Sequence, residues 1–194
     1  MAITWKQIDK NGNGYVDGTE AQKAKEKGVK NVWNNMTQSD YENGITVDQK
    51  YVSIKNETVN IARKYKYLLD ENSILVNNLN ISNNDVQNEV FGTYRKLEQL
   101  RYKLEKMQKD FDNEFNDLEG AWYTLKYGTE DLINKFGSSD KEVIEYGTLT
   151  HRHEDLIKFD KDERVHKYFS YKTEISSLKH QLRDLEQELC KKFT

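Results

Sequence analysis

Residues 168–189 read YFSYKTEISSLKHQLRDLEQEL, and this stretch decides the fold class. Its apolar residues alternate three and four positions apart, which is the spacing that places one stripe of a helix against a partner helix. The stripe consists of Tyr168, Tyr171, Ile175, Leu178, Leu182, Leu185 and Leu189. The pattern predicts a long helix over about residues 155–192 that buries one narrow face.

Two earlier segments carry the same spacing and predict two more long helices. The first covers about residues 51–80, with a stripe at Tyr51, Ile54, Thr58, Ile61, Tyr65, Leu68, Asn72, Leu75 and Leu79. The second covers about residues 83–127, with an apolar residue at every seventh position: Val90, Leu97, Leu104, Phe111, Leu118 and Leu125. An asparagine-rich turn is expected near residue 81, and short helices are expected between about residues 129 and 147.

The apolar stripes, or seams, also indicate how these helices associate. Short connections make consecutive helices antiparallel neighbours, and the many large aromatic residues favour an asymmetric intramolecular bundle over a parallel dimer. Homo-oligomerisation through an exposed part of a seam is the alternative. Gly128 and Thr129 predict the end of the second helix, but the heptad stripe continues to Leu132, so a kink in one continuous helix is the alternative there.

The composition agrees with an all-α chain that forms an elongated antiparallel bundle. The 194 residues include no proline, a residue that would break helix interiors. A formal net charge of -3, with both signs interspersed, gives no electrostatic footprint for nucleic acid. The chain has no long apolar run or secretory signal, so we expect no membrane insertion and a cytoplasmic location by default.

Residues 9–20 read DKNGNGYVDGTE and form the one motif with specific chemistry. Calcium takes about six to eight oxygen ligands, and a twelve-residue loop supplies them from positions 1, 3, 5, 7, 9 and 12, with glycine at position 6. Gly14 stands at that turn. The predicted metal ligands are Asp9, Asn11, Asn13, the backbone carbonyl of Tyr15, Asp17 and Glu20. We therefore expect Ca²⁺ as the cofactor, although a simple polar turn between two helices is the alternative.

This motif resembles the EF-hand family. Trp5 and Ile8 precede the loop where EF-hands place the core face of the incoming helix, and Val16 stands at the hydrophobic position of the loop. The resemblance covers about residues 1–55. It implies an EF-hand-like calcium module over residues 1–50, followed by the long-helix bundle over residues 51–194. With two amides among the ligands, the calcium affinity is expected to be modest.

The segment over residues 33–49 has the pattern of a damaged second hand. Its apparent ligand positions begin at Thr37, and Gln49 replaces the final glutamate. Because the bidentate carboxylate is missing, we expect a metal-free partner hand in which Ile45 pairs with Val16 between the two loops. The alternative is a distorted cation site formed by Asp40, Glu42 and Asp48.

No recognised catalytic constellation accompanies this motif, so no catalytic residue is assigned and an enzyme is the least favoured class. The leading hypothesis is a non-enzymatic structural or scaffold protein. In it, Ca²⁺ orders the N-terminal end of a helical bundle that docks another protein. One alternative is a calcium-sensor switch that exposes a groove for a partner helix. Another is a structural component of a virion or a secretion apparatus.

Overall fold

The computed structural model describes residues 3–65, 83–136 and 163–194. Over these residues the chain is mostly helical and contains no β-strand, so the predicted all-α class is confirmed. Extended backbone pairs there only at an isolated antiparallel bridge between Tyr15 and Thr37. Within the same residues, no helix has both the length and the apolar character required to cross a membrane.

The helices are numbered in chain order. Those of the N-terminal part are α1 (Trp5–Ile8), α2 (Gly18–Glu26), α3 (Gln38–Glu42) and α4 (Val47–Lys64). A short helix α5 (Asn84–Val86) continues through a π-helical turn (Gln87–Phe91) into α6 (Gly92–Phe136). The last helix is α7 (Glu163–Phe193).

Local side-chain chemistry starts three of the four N-terminal helices in the same way. In α2, α3 and α4, the oxygen of the N-cap side chain accepts from the backbone N–H three residues later, and the side chain of that later residue accepts from the N-cap N–H. These reciprocal capping boxes satisfy two donors that a helix start leaves unpaired. The pairs are Asp17 with Glu20, Thr37 with Asp40, and Thr46 with Gln49.

The observed helix bounds differ from the predicted ones at several ends. Helix α6 passes through Gly128 and ends at Phe136, whereas the sequence predicted an end near residue 127. An interior glycine lowers helix stability by only about 1 kcal/mol relative to alanine, which a long helix tolerates. Helix α4 begins at Val47, ahead of residue 51. The turn near residue 81, the short helices after residue 136 and residues 155–162 lie outside the described residues.

The chain divides into two compact units. Unit 1 comprises Met1–Arg101 and His180–Thr194, and unit 2 comprises Tyr102–Lys179. One hydrophobic core fills unit 1 and draws buried residues from the loop module and from α4, the π-helical turn, α6 and α7: Ile8, Val16, Trp33, Met36, Tyr51, Ile54, Val90, Leu97, Leu189 and Phe193. Residue 50, where the sequence predicted a domain boundary, therefore lies inside this unit.

Unit 2 has its own core between α6 and α7. The buried members are Phe111, Phe115, Tyr168 and Ile175. Lys103 Nζ lies 3.3 Å from the Glu174 carboxylate, and further along α6 Glu114 pairs with Lys167. Because the residue numbers rise on α6 as they fall on α7, the two helices run antiparallel within this unit.

Candidate metal centre

The predicted calcium loop connects α1 to α2 and lies in unit 1. Its first ligand position, Asp9, follows α1 directly, and its last, Glu20, is the third residue of α2. Gly14 has a φ of 87°, a left-handed conformation that glycine adopts without steric cost. The chain therefore makes the turn that the glycine at position 6 predicted.

Asp9 organises the first half of the loop. Its Oδ1 accepts from the backbone N–H groups of Gly12 at 2.9 Å and Asn13 at 3.2 Å, and its Oδ2 accepts from Gly14 N–H at 3.0 Å. The side chain is buried, with 7% of its residue surface exposed. Three backbone donors therefore stabilise a carboxylate that solvent barely reaches.

Glu20 closes the loop from the other side. Its Oε1 accepts from the N–H groups of Lys10 at 2.8 Å and Asn11 at 3.2 Å. Its Oε2 accepts from Asp17 N–H at 3.1 Å, while Glu20 N–H donates to Asp17 Oδ1 at 2.8 Å. Glu20 is 8% exposed. One side chain thus joins the start of the loop to the start of α2.

The two asparagines turn the backbone between these acids. Asn11 Oδ1 accepts from Asn13 N–H at 3.0 Å, and Asn13 Oδ1 accepts from Tyr15 N–H at 3.1 Å. Asparagine favours such turns because its side-chain oxygen, like a backbone carbonyl, accepts from the backbone N–H two residues later. The Asn11 amide also donates to Asp17 Oδ2 at 3.3 Å, so ligand positions 3 and 9 are in contact.

The donor set suits a hard cation. A carboxylate can accept about four hydrogen bonds, and Asp9 and Glu20 accept three each, so both retain capacity for a ligand bond. Neither carboxylate has a cationic side chain within salt-bridge distance among the described residues. Buried charges are normally paired or coordinate a metal, so the oxygens of this loop fit the chemistry of calcium.

The acidic ligands are not, however, drawn together at one point. In the described part of the chain, no group of three or more His, Cys, Asp or Glu side chains is placed to hold a metal ion. The oxygens of Asp9 and Glu20 are directed at backbone N–H groups of the loop. A cation that used all six predicted ligands would have to compete with these hydrogen bonds.

The partner of Val16 differs from the prediction. Val16 N–H donates to Met36 O at 2.8 Å, and Asn35 N–H donates to Val16 O at 2.7 Å. Ile45 N–H instead donates to Asp40 O at 2.9 Å. The predicted pairing of Ile45 with Val16 is therefore wrong. The reason is that residues 38–42 fold into helix α3 within the region that the sequence predicted as a second loop.

Asp40, one member of the alternative cation site, has a different role. Its Oδ2 accepts from both the N–H and the hydroxyl of Thr37, at 3.1 and 2.7 Å. Its Oδ1 lies 3.1 Å from Lys50 Nζ. Asp40 is 6% exposed. It therefore caps α3, and the ammonium group of Lys50 neutralises its buried charge.

A second set of buried charges in unit 1 was missed by the sequence analysis. Glu186, 3% exposed, accepts from the Tyr65 hydroxyl at 2.7 Å and from Lys64 Nζ at 3.1 Å, and lies 3.5 Å from Arg101 Nη2. Arg101 also pairs with Glu57. Burial lowers the pKa of Arg101, but the hydrogen bond and charge of Glu57 and the charge of Glu186 outweigh it, so the pKa is raised. No sequence signal marks Glu186, because it adjoins the stripe within a run of ordinary polar residues.

The remaining reactive side chains give no catalytic arrangement. His166 and His180 are exposed, and His151 and His153 lie outside the described residues. Cys190 is fully buried, and burial followed by the nearby charge of Glu186 raises the pKa of its thiol to about 11. Comparison with known proteins gives no relative of the chain: no protein-family model, curated protein or solved structure matches it.

Proposed function

We propose that the loop over residues 9–20 binds one Ca²⁺ ion and that the protein is a non-enzymatic scaffold. Asp9, Asn11, Asn13, Asp17 and Glu20 would hold the ion with side-chain oxygens, and Tyr15 would add its backbone carbonyl. The ion would supply positive charge to a buried acidic loop. Residues 35–37 pair with this loop through the backbone.

The buried carboxylates of Asp9 and Glu20 carry this proposal. They are 7% and 8% exposed, and no described lysine, arginine or histidine lies within salt-bridge distance of either. Other buried acids of unit 1 differ in this respect, since Asp40 pairs with Lys50, and Glu186 with Lys64 and Arg101. Among the described buried acids of unit 1, Asp9 and Glu20 are thus the two without a cationic partner.

A structural role for the ion is favoured over a sensor switch. Ile8 and Val16, which flank and line the loop, are 2% and 0% exposed and belong to the same core as Ile54 and Leu97. A sensor hand would need to part its helices and uncover apolar surface. Here Ile8, Val16, Trp33 and Met36 of the module are already buried in a core shared with the long helices, so the ion would stabilise unit 1 as a whole.

The long helices supply the scaffold part of the proposal. We propose that α4, α6 and α7 belong to an elongated bundle that docks another protein. Residues of their predicted stripes pack in both cores, and we propose that the opposite, polar faces receive the partner.

Calorimetric titration of the full chain with Ca²⁺ tests the metal site. We expect one binding event, and we expect Glu20→Gln to weaken it strongly because the variant removes the bidentate carboxylate. Glu26→Gln is the matched control, since Glu26 lies on the same helix, is exposed, is not a predicted ligand, and accepts from the Gln22 amide at 3.3 Å. Absence of binding heat in the unmodified protein, or equal affinity in the Glu20→Gln variant, would refute the site.

Thermal unfolding tests the structural role of the ion. A ligand that binds only the folded state adds about 2.7 kcal/mol when its concentration is 100 times its dissociation constant. We therefore expect a higher melting temperature in saturating Ca²⁺ than in chelator, and a much smaller difference for Glu20→Gln. If Ca²⁺ binds but leaves the melting temperature unchanged, the ion has no structural role.

A further inference from the structure

A polar cavity of about 330 Å³ lies beside the calcium loop, within unit 1. Tyr15 and Asp17 of the loop line one side, and Asn88 and Arg95 line another. Amide and cationic side chains outnumber the single carboxylate among the residues that line this cavity. Its lining is therefore suited to an anionic group.

Arg95 is the distinctive side chain of this cavity. Its guanidinium carbon lies 3.5 Å from the centroid of the Tyr15 ring, which is a close cation–π contact. Arg95 forms no hydrogen bond or salt bridge with any described residue, and its Nε is buried without a partner. By contrast, Arg101, six residues later on the same helix, pairs with both Glu57 and Glu186. A guanidinium has five N–H donors, and leaving buried donors unpaired costs free energy.

We propose that this cavity binds a carboxylate group and that Arg95 is its principal partner. A carboxylate matches the planar donor fork of arginine with two oxygens. The Tyr15 ring holds the guanidinium in place, so little side-chain freedom remains to be lost on binding. The Asn34 amide donates to Asn88 Oδ1, which leaves the Asn88 amide N–H groups for the ligand, and Lys96 adds a second positive charge at the rim.

Asp17 decides between a carboxylate and a more highly charged anion. It lines the same cavity, so its negative charge repels a phosphate more strongly than a singly charged carboxylate. Asp17 is also a ligand in the proposed calcium site. Calcium would neutralise this charge and so raise the affinity for the carboxylate, a coupling that rests on the proposed function.

The test is a titration of the full-length, ¹⁵N-labelled protein followed by NMR at constant ionic strength. The probes are sodium propionate and the peptide acetyl-Gly-Asp-Gly-amide, which represent a free carboxylate and a protein side chain. We expect a saturable shift of the Arg95 Nε–Hε signal, identified by its loss in Arg95→Gln. If propionate binds more tightly, the ligand is a small molecule with a free carboxylate. If the peptide binds more tightly, the ligand is an acidic side chain of a protein. Absence of a saturable shift with both probes would overturn the proposal.

Variants show whether Arg95 itself carries the binding. Loss of a charge-assisted hydrogen bond lowers affinity by on the order of tenfold, so we expect at least this loss in Arg95→Gln, followed through the backbone signals of Asn34 and Gly92. Arg63→Gln is the matched control, because Arg63 is an exposed arginine on α4 that does not line this cavity, and its Nη1 donates to the Asn60 side chain three residues away at 3.3 Å. Equal affinity in Arg95→Gln and the unmodified protein would also overturn the proposal, provided both show the same circular dichroism.

Repeating the titration with Ca²⁺ separates this inference from the proposed function. Tighter carboxylate binding in Ca²⁺ supports both. Carboxylate binding in a protein that gives no calcium heat supports the cavity and refutes the calcium site. If calcium binds and the carboxylate affinity does not change, the coupling is refuted.

Discussion

Gly14 shows how one residue sets the geometry of the loop. Its φ of 87° lies in the left-handed region, and a Cβ built at this position would meet no atom within 4 Å. Space is therefore not the reason that glycine is needed here. The reason is the backbone conformation, which brings the Gly14 N–H to Asp9 Oδ2.

Substitution of Gly14 by alanine should therefore cost only the backbone strain. We expect Gly14→Ala to lower the free energy of unfolding by about 1–2 kcal/mol. Gly18→Ala is the control, because Gly18 is the first residue of α2, has no positive φ and also faces open space. Because alanine has a higher helix propensity than glycine, we expect Gly18→Ala to leave the free energy of unfolding unchanged or to raise it by up to about 1 kcal/mol. Urea denaturation of both variants measures the difference, and equal effects would contradict this explanation.

Cys190 gives a prediction of pH dependence. Burial raises the pKa of its thiol to about 11, above the ordinary value of about 8.5 in an unfolded chain. The folded state therefore retains a proton that the unfolded state releases, so stability falls as the pH rises from about 9 to 11. The slope for one such group is roughly 1.4 kcal/mol per pH unit.

Cys190→Ala removes this contribution. At neutral pH the variant should be less stable than the unmodified protein, because Cys190 is fully buried in the core of unit 1. As the pH rises above 9, only the unmodified protein loses the thiol contribution, so the stability difference should narrow. Urea denaturation across this pH range measures it, and a constant difference would show that the thiol does not titrate as described.

Among the elements, α7 is held to α4 and α6 by the carboxylate of Glu186. The acceptor lies on α7, while the Tyr65 hydroxyl at the end of α4 and the Arg101 guanidinium on α6 both reach it. This buried carboxylate is costly to replace, because Tyr65, Lys64 and Arg101 share it and hydrogen bonds to a charged group contribute more than those between neutral groups.

Glu186→Gln should therefore destabilise the protein by about 1–3 kcal/mol. Asp184→Asn is the control, since Asp184 is exposed two residues earlier on α7 and surface substitutions usually stay within about 0.5 kcal/mol. Denaturant unfolding at neutral pH compares them. A Glu186→Gln variant as stable as Asp184→Asn would mean that the network contributes nothing.

The elements also show how far sequence patterns reach. Every described residue of the first predicted stripe, from Tyr51 to Tyr65, is buried, because helical periodicity and side-chain burial depend on neighbours a few positions apart. The loop hydrogen bonds of Asp9 and Glu20 span at most ten residues, so their geometry also follows from the local motif. The pairing of Val16 with Met36 could not be predicted in this way, since it depends on where α3 forms.

For the whole molecule, the division into two compact units predicts that a core substitution in unit 2 leaves calcium binding in unit 1 unchanged. Phe115 is 1% exposed and belongs to the core of unit 2. We expect Phe115→Ala to cost about 3–5 kcal/mol and to lower hydrogen-exchange protection at residues 102–115 and 168–179. Calcium affinity should not change, because every predicted ligand belongs to unit 1. A weaker calcium affinity in this variant would refute the separation.

By itself, the sequence determined the all-α class, the buried stripe of α4 and the local form of the loop over residues 9–20. These features depend on residues within a few helical turns of one another, where periodicity and capping are decisive. The tertiary structure alone decided that the loop module shares a core with the long helices, that Glu186 is buried among donors, and that Arg95 stacks on Tyr15. The contacts of Glu186 and Arg95 join residues 80 or more positions apart. Burial of apolar surface, which forms the shared core, is non-directional, so no local pattern of the sequence encodes which segments meet.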